Sequence, residues 1–298
     1  MVRTNGYASP GAVVAALAQA GKNQKKELLP IYLRERLLAR LVAHDSQKWV
    51  LKGGTAMLLR IPDTRATQDI DVAFRGPTIG EAITQFREAL AIQLGDHVNF
   101  TVRRTEDAGN NVQAYVDGVR LVVDATVGTK KVSPVKIDLV VGSIMVFPPE
   151  NLIVHTVLEP FTDFEMLTYS VVDHIADKVC ATQAQYGLLR SNRVRDLFDI
   201  IAFALTTEVE GAPLVRAIER EWKVRDLQGP PDFIPPPDWQ KVYEKLRKKS
   251  AKSLQVPDFE DSVELAEEFV RRAAHGLVRG MVWSPRARAW EDGTAAPR

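Results

Sequence analysis

Between residues 10 and 46 the leucines of ELLPIYLRERLLARLVAHD recur at i, i+3 and i+4, an interval that puts one apolar stripe on a 3.6-residue turn, and the stretch reads as helical. From Trp49 to about Phe147 the period changes. Short runs rich in β-branched and apolar residues, KWVLK, DIDVAFR, VNFTVRR, VQAYVDG, VRLVVDATV and VKIDLVV, predict strands, with one helix among them at GEAITQFREALAIQL. Gly109-Asn110-Asn111 and Asp117-Gly118 punctuate these runs as turns, and the Asp-Gly pair is the stronger hairpin signal. Past Pro148-Pro149 the pattern is mostly helical again, and the proline-rich QGPPDFIPPPD divides it into an earlier and a later bundle. The closing SPRARAWEDGTAAPR has no period and is expected to fray. The expected fold class is therefore α+β: a helical segment over 1–48, a core over 49–150 with a mixed or antiparallel sheet flanked by helices, a helical C-terminal domain over 151–284, and a disordered tail over 285–298.

Chemistry concentrates in LKGGTAMLLRIPDTRATQDIDVAF. Asp69 and Asp71 lie one residue apart in a strand-like run, so both carboxylates project from one face. Two anions that close repel unless a cation lies between them. Gly53-Gly54-Thr55, just upstream, offers backbone that a phosphate can approach, N–H donors at a helix start, and a hydroxyl. A third carboxylate is available from another apolar run: Asp138 in VKIDLVVG is preferred for its later strand, and Asp124 in LVVDATVG, equally flanked, stays the alternative. Two Mg²⁺ ions about 3.5–4 Å apart, clamped by three carboxylates, would activate an attacking hydroxyl and stabilise a leaving pyrophosphate. Taken singly, an Asp-x-Asp also fits a capped turn, a calcium contact or a solvated face, and a Gly-Gly pair fits a plain tight turn. The combination is what points to nucleotidyl transfer.

With these motifs the chain resembles the nucleotidyltransferase superfamily that includes polymerase β, whose signature is an apolar residue, Gly-Gly or Gly-Ser, a short gap and Asp-x-Asp. More narrowly, Leu51-Lys52-Gly53-Gly54-Thr55-Ala56, the string Arg65-x-Thr67-x-Asp69-x-Asp71, Lys178, and Arg193-x-Arg195-Asp196-x-x-Asp199 resemble the AbiEii-type toxins of bacterial toxin–antitoxin systems, whose mycobacterial branch is called MenT. The likeness runs from about Trp49 to Ala204. It implies that Lys178 contacts the triphosphate of the incoming NTP; read alone, it is a solvated lysine at the edge of an amphipathic helix marked by Val171, Ile175, Val179 and Thr182. It implies that Asp196 is needed for activity, where the residue alone is only a favourable first-turn acid, and Asp199 is expected to brace an arginine. The family often has Arg-x-Lys-Asp where this chain has Arg193-Val-Arg195-Asp196, which leaves open whether Arg193 or Arg195 meets phosphate. Thr67 faces the same way as Asp69 on an extended segment, and in some relatives a Ser or Thr here is phosphorylated by the partner antitoxin. The activity implied is a toxin that uses Mg²⁺ and NTP to add nucleotides, pyrimidines in the studied cases, to the 3′ acceptor end of tRNA, which blocks aminoacylation, stops translation and arrests growth. A cognate antitoxin would be encoded nearby. A small-molecule or protein hydroxyl as acceptor, and a catalytically silent nucleotide- or RNA-binding module, remain the alternatives.

Composition narrows the setting. The 298 residues, 45% of them hydrophobic, suit one large or two modest domains with a real core. A net charge of +1 with no charged tail means that RNA contact would need a local patch. One exists between Asp238 and Lys252, where six basic residues face two acidic ones; it suits a phosphate backbone, although solvated helix faces look the same. Trp239 and Tyr243 are its only aromatics, which favours backbone contact over base stacking. The single cysteine, Cys180, excludes a disulfide framework and a zinc knuckle, and the five histidines lack metal spacing. No apolar run approaches about 18 residues and the first stretch lacks a signal-peptide core, so a cytoplasmic protein without membrane contact is expected. A monomer is the expected state.

Overall fold

A computed structural model of the chain describes residues 6–24, 27–62, 64–65, 67, 69–107, 117–184, 193–250 and 252–293. Two compact units emerge, one made of Met1–Leu59, Thr67–Ser143 and Pro149–Thr168, the other of Arg60–Ala66, Ile144–Pro148 and Tyr169–Arg298.

In the first unit, the leucine-rich start forms α1 (Pro10–Gln24) and α2 (Leu29–Asp45), with a proline in the first turn of α2, where no intrahelical donor is lost. There follow β1 (Trp49–Lys52), α3 (Gly53–Arg60), β2 (Asp69–Phe74), α4 (Ile79–Leu90), β3 (Val98–Asp107), β4 (Asp117–Val127), β5 (Lys130–Val141), β6 (Glu150–Val154) and β7 (Phe164–Thr168). The strands form one seven-stranded sheet in the order β3-β4-β5-β2-β1-β7-β6. It is mixed: β2 runs parallel to β5 and β1 to β7, while the other neighbours are antiparallel. Strand alternation sorts its faces. Leu51, Ile70, Val72, Phe74, Leu121, Ile137 and Leu139 are buried in one core with Leu37 and Leu41 of α2 and Phe86 and Ala89 of α4. The residues between them, Lys52, Asp71, Asp138 and Arg120 among them, must therefore face the other way.

Inside that core lies a forked ion pair. Arg40 of α2 donates Nη1 and Nη2 to the two carboxylate oxygens of Asp96 at 2.6 and 2.8 Å, and Nη2 also to the Val98 carbonyl at 2.7 Å. Both side chains are buried, so the fork ties α2 to the entry of β3 where neither charge reaches water.

The second unit is built from α5 (Val171–Gln183), α6 (Val194–Thr206), β8 (Val209–Glu210), α7 (Gly211–Val224), α8 (Gln240–Arg247), α9 (Phe259–Ala266), β9 (Met281–Ser284) and β10 (Ala289–Asp292). The last strands form a small sheet in the order β10-β9-β8. Its α6 is buried from Val194 through Ala204 apart from Arg195, as expected of a helix at the centre of a bundle.

Four features depart from the sequence reading. First, the sheet does not stop at residue 150: ENLIV and FEMLT become β6 and β7, short strands without enough alternating positions to declare themselves. Second, Asp117-Gly118 is no turn but the start of β4, paired with Val141 and Val140. The tight turn is Gly128-Thr129 between the paired Val127 and Lys130, and Gly128 takes a left-handed φ of 59° there. The Gly109-Asn110-Asn111 turn and most of the VQAYVDG strand lie outside the described residues. Third, the stretch expected to fray holds β10, antiparallel to β9. Its Trp290 is buried against Phe269 and Trp283 and donates Nε1 to the Glu268 carbonyl at 3.0 Å, so a single large side chain anchors a segment that has no period. Fourth, the helices expected as a segment of their own share the strands' core: Val13 and Leu17 of α1 and Leu33, Leu37 and Leu41 of α2 are buried in it. Among the described residues, no helix is long and apolar enough to cross a membrane.

Removing Asp96 should be costly, because Arg40 would keep a buried charge without its partner. Asp96→Ala is expected to lower unfolding stability in urea by about 3–5 kcal/mol, and a loss below about 1 kcal/mol, the range of exposed pairs, would contradict the buried fork.

Candidate active site

Where β1 runs directly into α3, the chain needs an abrupt change of direction next to β2. Gly53 takes a left-handed φ of 60°, and a Cβ built on it would stand 2.1 Å from Asp71 Oδ2; one on Gly54 would stand 2.8 Å from Thr67 Oγ1. Glycine at both positions is thus what lets the α3 N-terminus close onto the carboxylate-bearing strand. Thr55, expected at the phosphates, also has a task within the fold. Its buried hydroxyl donates to the Asp69 carbonyl at 3.0 Å and fastens the start of β2. Thr67 is held from the other side by Arg34, whose Nη2 donates to the Thr67 carbonyl at 2.6 Å, while the Thr67 hydroxyl lies 3.5 Å from the Asp69 carbonyl.

Strand register then assembles the charges. Lys52 on β1 is the partner of Asp71 on β2, Asp71 of Asp138 on β5, Asp138 of Arg120 on β4, and Arg120 of Glu106 on β3. Directly opposed residues share a face, so Lys52, Asp71, Asp138, Arg120 and Glu106 form one row across five strands. Asp69 stands two residues earlier on β2, opposite Lys136. Asp138, and not Asp124, is therefore the carboxylate beside Asp71; Asp124 lies two strands from β2 and pairs with Arg103 at 3.4 Å.

Two residues of the row, Arg120 and Glu106, carry no signal in the sequence, and the arginine matters most. Arg120 donates Nε and Nη2 to the two oxygens of Asp138 at 2.7 Å each, and its Nη2 stands 3.8 Å from Asp69 Oδ2. These hydrogen bonds to Asp138 outweigh partial burial and, with the charges of Asp69 and Asp71 nearby, raise the guanidinium's pKa further above its ordinary value. No local motif marks this arginine. Its partner is set by a bulge, where Ser133-Pro134 of β5 stand against Asp124 of β4; in an unbroken hairpin from the Gly128 turn Arg120 would meet Ile137.

The later motifs assemble in the second unit. Ser170 caps α5 by accepting from the Asp173 N–H at 3.1 Å. Within α5, Lys178 is 3% exposed, and its Nζ donates to Asp196 Oδ1 at 3.0 Å and Asp199 Oδ2 at 2.6 Å, both on α6. Burial alone would lower the lysine's pKa, but the two carboxylates outweigh it and the pKa is raised, so the ammonium stays charged. Arg65 forks Asp199 with Nε and Nη2 at 2.9 and 2.7 Å, the arginine that Asp199 was expected to brace. Arg193 Nη1 stands 3.7 Å from Asp196, whereas Arg195 is exposed.

Can the carboxylates hold a divalent metal? Asp69 and Asp71 offer hard oxygen donors on one face, and Asp69 is 39% exposed, so this pair fits a hard cation. Asp138 fits by position, but both its oxygens are engaged by Arg120. Consistent with this, among the described residues no three His, Cys, Asp or Glu side chains converge as ready metal ligands.

Residues 36–274 match the family model described as nucleotidyl transferase AbiEii toxin, type IV toxin–antitoxin system. No curated protein matches the chain. Among solved structures, a candidate nucleotidyltransferase from Helicobacter pylori is similar with a TM-score of 0.43 and 17% identity, over 83% of this chain and 96% of its own. The protein JHP933 from Helicobacter pylori is similar with a TM-score of 0.43 and 18% identity, over 82% and 91%.

The close approach at Gly53 is directly testable against a glycine with open space around it. Gly53→Ala should cost on the order of 2 kcal/mol or more, from left-handed backbone and the clash with Asp71. Gly80→Ala, where a Cβ meets nothing within 4 Å, should be neutral or stabilising by up to about 1 kcal/mol. Equal melting temperatures for the two variants would contradict the packing described.

Proposed function

The chain belongs to the nucleotidyl transferase AbiEii toxin family of type IV toxin–antitoxin systems, and from this premise we propose that it transfers nucleotidyl groups from NTP to the 3′ acceptor end of tRNA. The observation that carries the proposal is the register that opposes Asp71 to Asp138, with Asp69 on the same strand and the Gly53-Gly54 turn packed against Asp71. Asp69 and Asp71 would hold Mg²⁺, joined by Asp138 once its arginine yields. A bound divalent cation there supplies charge neutralisation for the triphosphate and a lowered pKa for the attacking hydroxyl. The N–H groups at the start of α3, beginning at Gly53 and Gly54, are suited to phosphate oxygens. In the transfer, the terminal ribose oxygen bonds the α-phosphorus, the bond to pyrophosphate breaks with its electron pair, and the hydroxyl proton leaves to solvent.

For Lys178 and Asp196 we take the roles implied by the family motif, a triphosphate counter-charge and a residue essential for activity. Arg193 or Arg195 is the second phosphate cation. Pyrimidine nucleotides are the proposed substrates, with blocked aminoacylation, arrested translation and halted growth as consequences. The toxin would act as a monomer in the cytoplasm, restrained by an antitoxin encoded nearby, and Thr67 is the proposed phosphoacceptor if that antitoxin modifies it.

Support for RNA as acceptor comes from α8 and the residues after it. Lys241, Lys245, Lys248 and Lys249 are exposed, while Arg247 is tied to Glu244 at 2.7 Å. Tyr243 and Trp239 are buried, so a base could not stack on them, and contact would run through phosphates.

Purified protein incubated with Mg²⁺, each labelled NTP and total tRNA should place label in RNA, and Asp69→Asn or Asp71→Asn should reduce labelling by about 10²-fold or more without unfolding the protein. Label in a non-RNA product would move the acceptor to a small molecule or protein, and no label anywhere would contradict the reading. Changing Lys241, Lys245, Lys248 and Lys249 to Glu together should weaken tRNA binding and flatten its salt dependence, by about 0.7–0.9 in the log–log slope for each phosphate no longer neutralised. An unchanged slope would remove α8 from the RNA surface.

A further inference from the structure

Nucleotidyl transfer as outlined above uses three carboxylates and leaves unexplained the arginine that forks one of them. Arg120 engages both oxygens of Asp138 in the fork geometry that a guanidinium and a carboxylate form best. Each oxygen keeps a second lone pair, but a divalent cation using it would stand beside the guanidinium charge, so the two cations compete for Asp138. The fork has a clear electrostatic use in the metal-free protein. Asp69, Asp71 and Asp138 crowd three anions onto adjacent positions of one sheet face, and Arg120 contacts the third while standing 3.8 Å from the first.

A purely structural role explains the fork less well. The hairpin of β4 and β5 is already joined by a long backbone ladder from Asp117–Val141 to Val127–Lys130. Arg120 and Asp138 are 25% and 22% exposed, so neither is so deeply buried that it must be paired. The β5 bulge at Ser133-Pro134 is also what brings the arginine into line with the carboxylates.

We propose that Arg120 is the resident counter-ion of the metal-free carboxylate cluster and competes with the divalent cation for Asp138, so that metal loading requires the guanidinium to release at least one Asp138 oxygen. This rests on the reading of Asp69, Asp71 and Asp138 as metal ligands. A guanidinium so released is a fork suited to phosphate oxygens, so metal and triphosphate would favour each other's binding.

The test is Mn²⁺ binding to the full chain without nucleotide, followed by the electron paramagnetic resonance signal of the free ion. Arg120→Gln should bind Mn²⁺ about tenfold more tightly than the unaltered protein, since a charge-assisted pair no longer opposes the ion; Arg120→Lys should fall between them, and Asp71→Asn should abolish binding. A second readout needs no change at Arg120 in the observed sample. In ¹⁵N-arginine-labelled protein, the Arg120 Nε–H resonance, identified by its loss in Arg120→Lys, should shift as Mg²⁺ is added. If Mn²⁺ binds to the unaltered protein, Arg120→Gln binds it no more tightly and the resonance stays in place, Arg120 is a strut and the inference falls while the metal reading stands. If neither protein binds Mn²⁺, the metal reading falls and the inference with it.

Discussion

Two carboxylates, Asp71 and Asp138, occupy directly opposed positions on adjacent parallel strands, where like charges repel. The apolar face of the same strands forces this placement. Ile70, Val72, Ile137 and Leu139 are buried in the core, and a slip of one residue in either strand would move them to the wrong face. The charges are therefore held together by a hydrophobic register that costs far more to break than they gain by separating. Neighbouring features follow from that constraint. Lys52 lies opposite one carboxylate and Arg120 forks the other, while Gly53 has no side chain because Asp71 occupies the space.

Parts of this were legible in the sequence for a physical reason. Asp69 and Asp71 declare a shared face by spacing alone, and the Gly53-Gly54 turn declares a close backbone approach, because both signals are local. Choosing between Asp138 and Asp124 is different, since both sit in apolar runs and only the pairing of distant strands separates them. Arg120 was hidden for the same reason, made worse by the bulge at Ser133-Pro134, which shifts the hairpin register by one residue. Asp117-Gly118 misled because a turn-forming pair can also open a strand when the turn itself lies elsewhere. Thr55 had the right chemistry for phosphate, yet its hydroxyl is used inside the fold, on the Asp69 carbonyl.

In the second unit the lesson runs the other way. By local pattern Lys178 is a solvated lysine, but it is buried, with its ammonium bonded to Asp196 and Asp199 and with Arg65 forking the same Asp199. Such a network costs desolvation, and removing one member leaves the others uncompensated. The motif Arg193-x-Arg195-Asp196-x-x-Asp199 thus has an architectural meaning beside any catalytic one: its two aspartates hold a lysine and an arginine from separate parts of the chain. Family membership across residues 36–274 covers both the carboxylate row and this network.

The central claim is that Asp69, Asp71 and Asp138, beside the Gly53-Gly54 turn, hold divalent metal and a nucleoside triphosphate. A crystal structure of the protein with Mg²⁺ and a nonhydrolysable NTP analogue tests it most directly. The account predicts metal density on Asp69 and Asp71, Asp138 turned from Arg120 toward it, and phosphates at the start of α3. Nucleotide bound elsewhere, or a row that keeps its Arg120–Asp138 fork with no metal on Asp69 and Asp71 at saturating Mg²⁺, would contradict it.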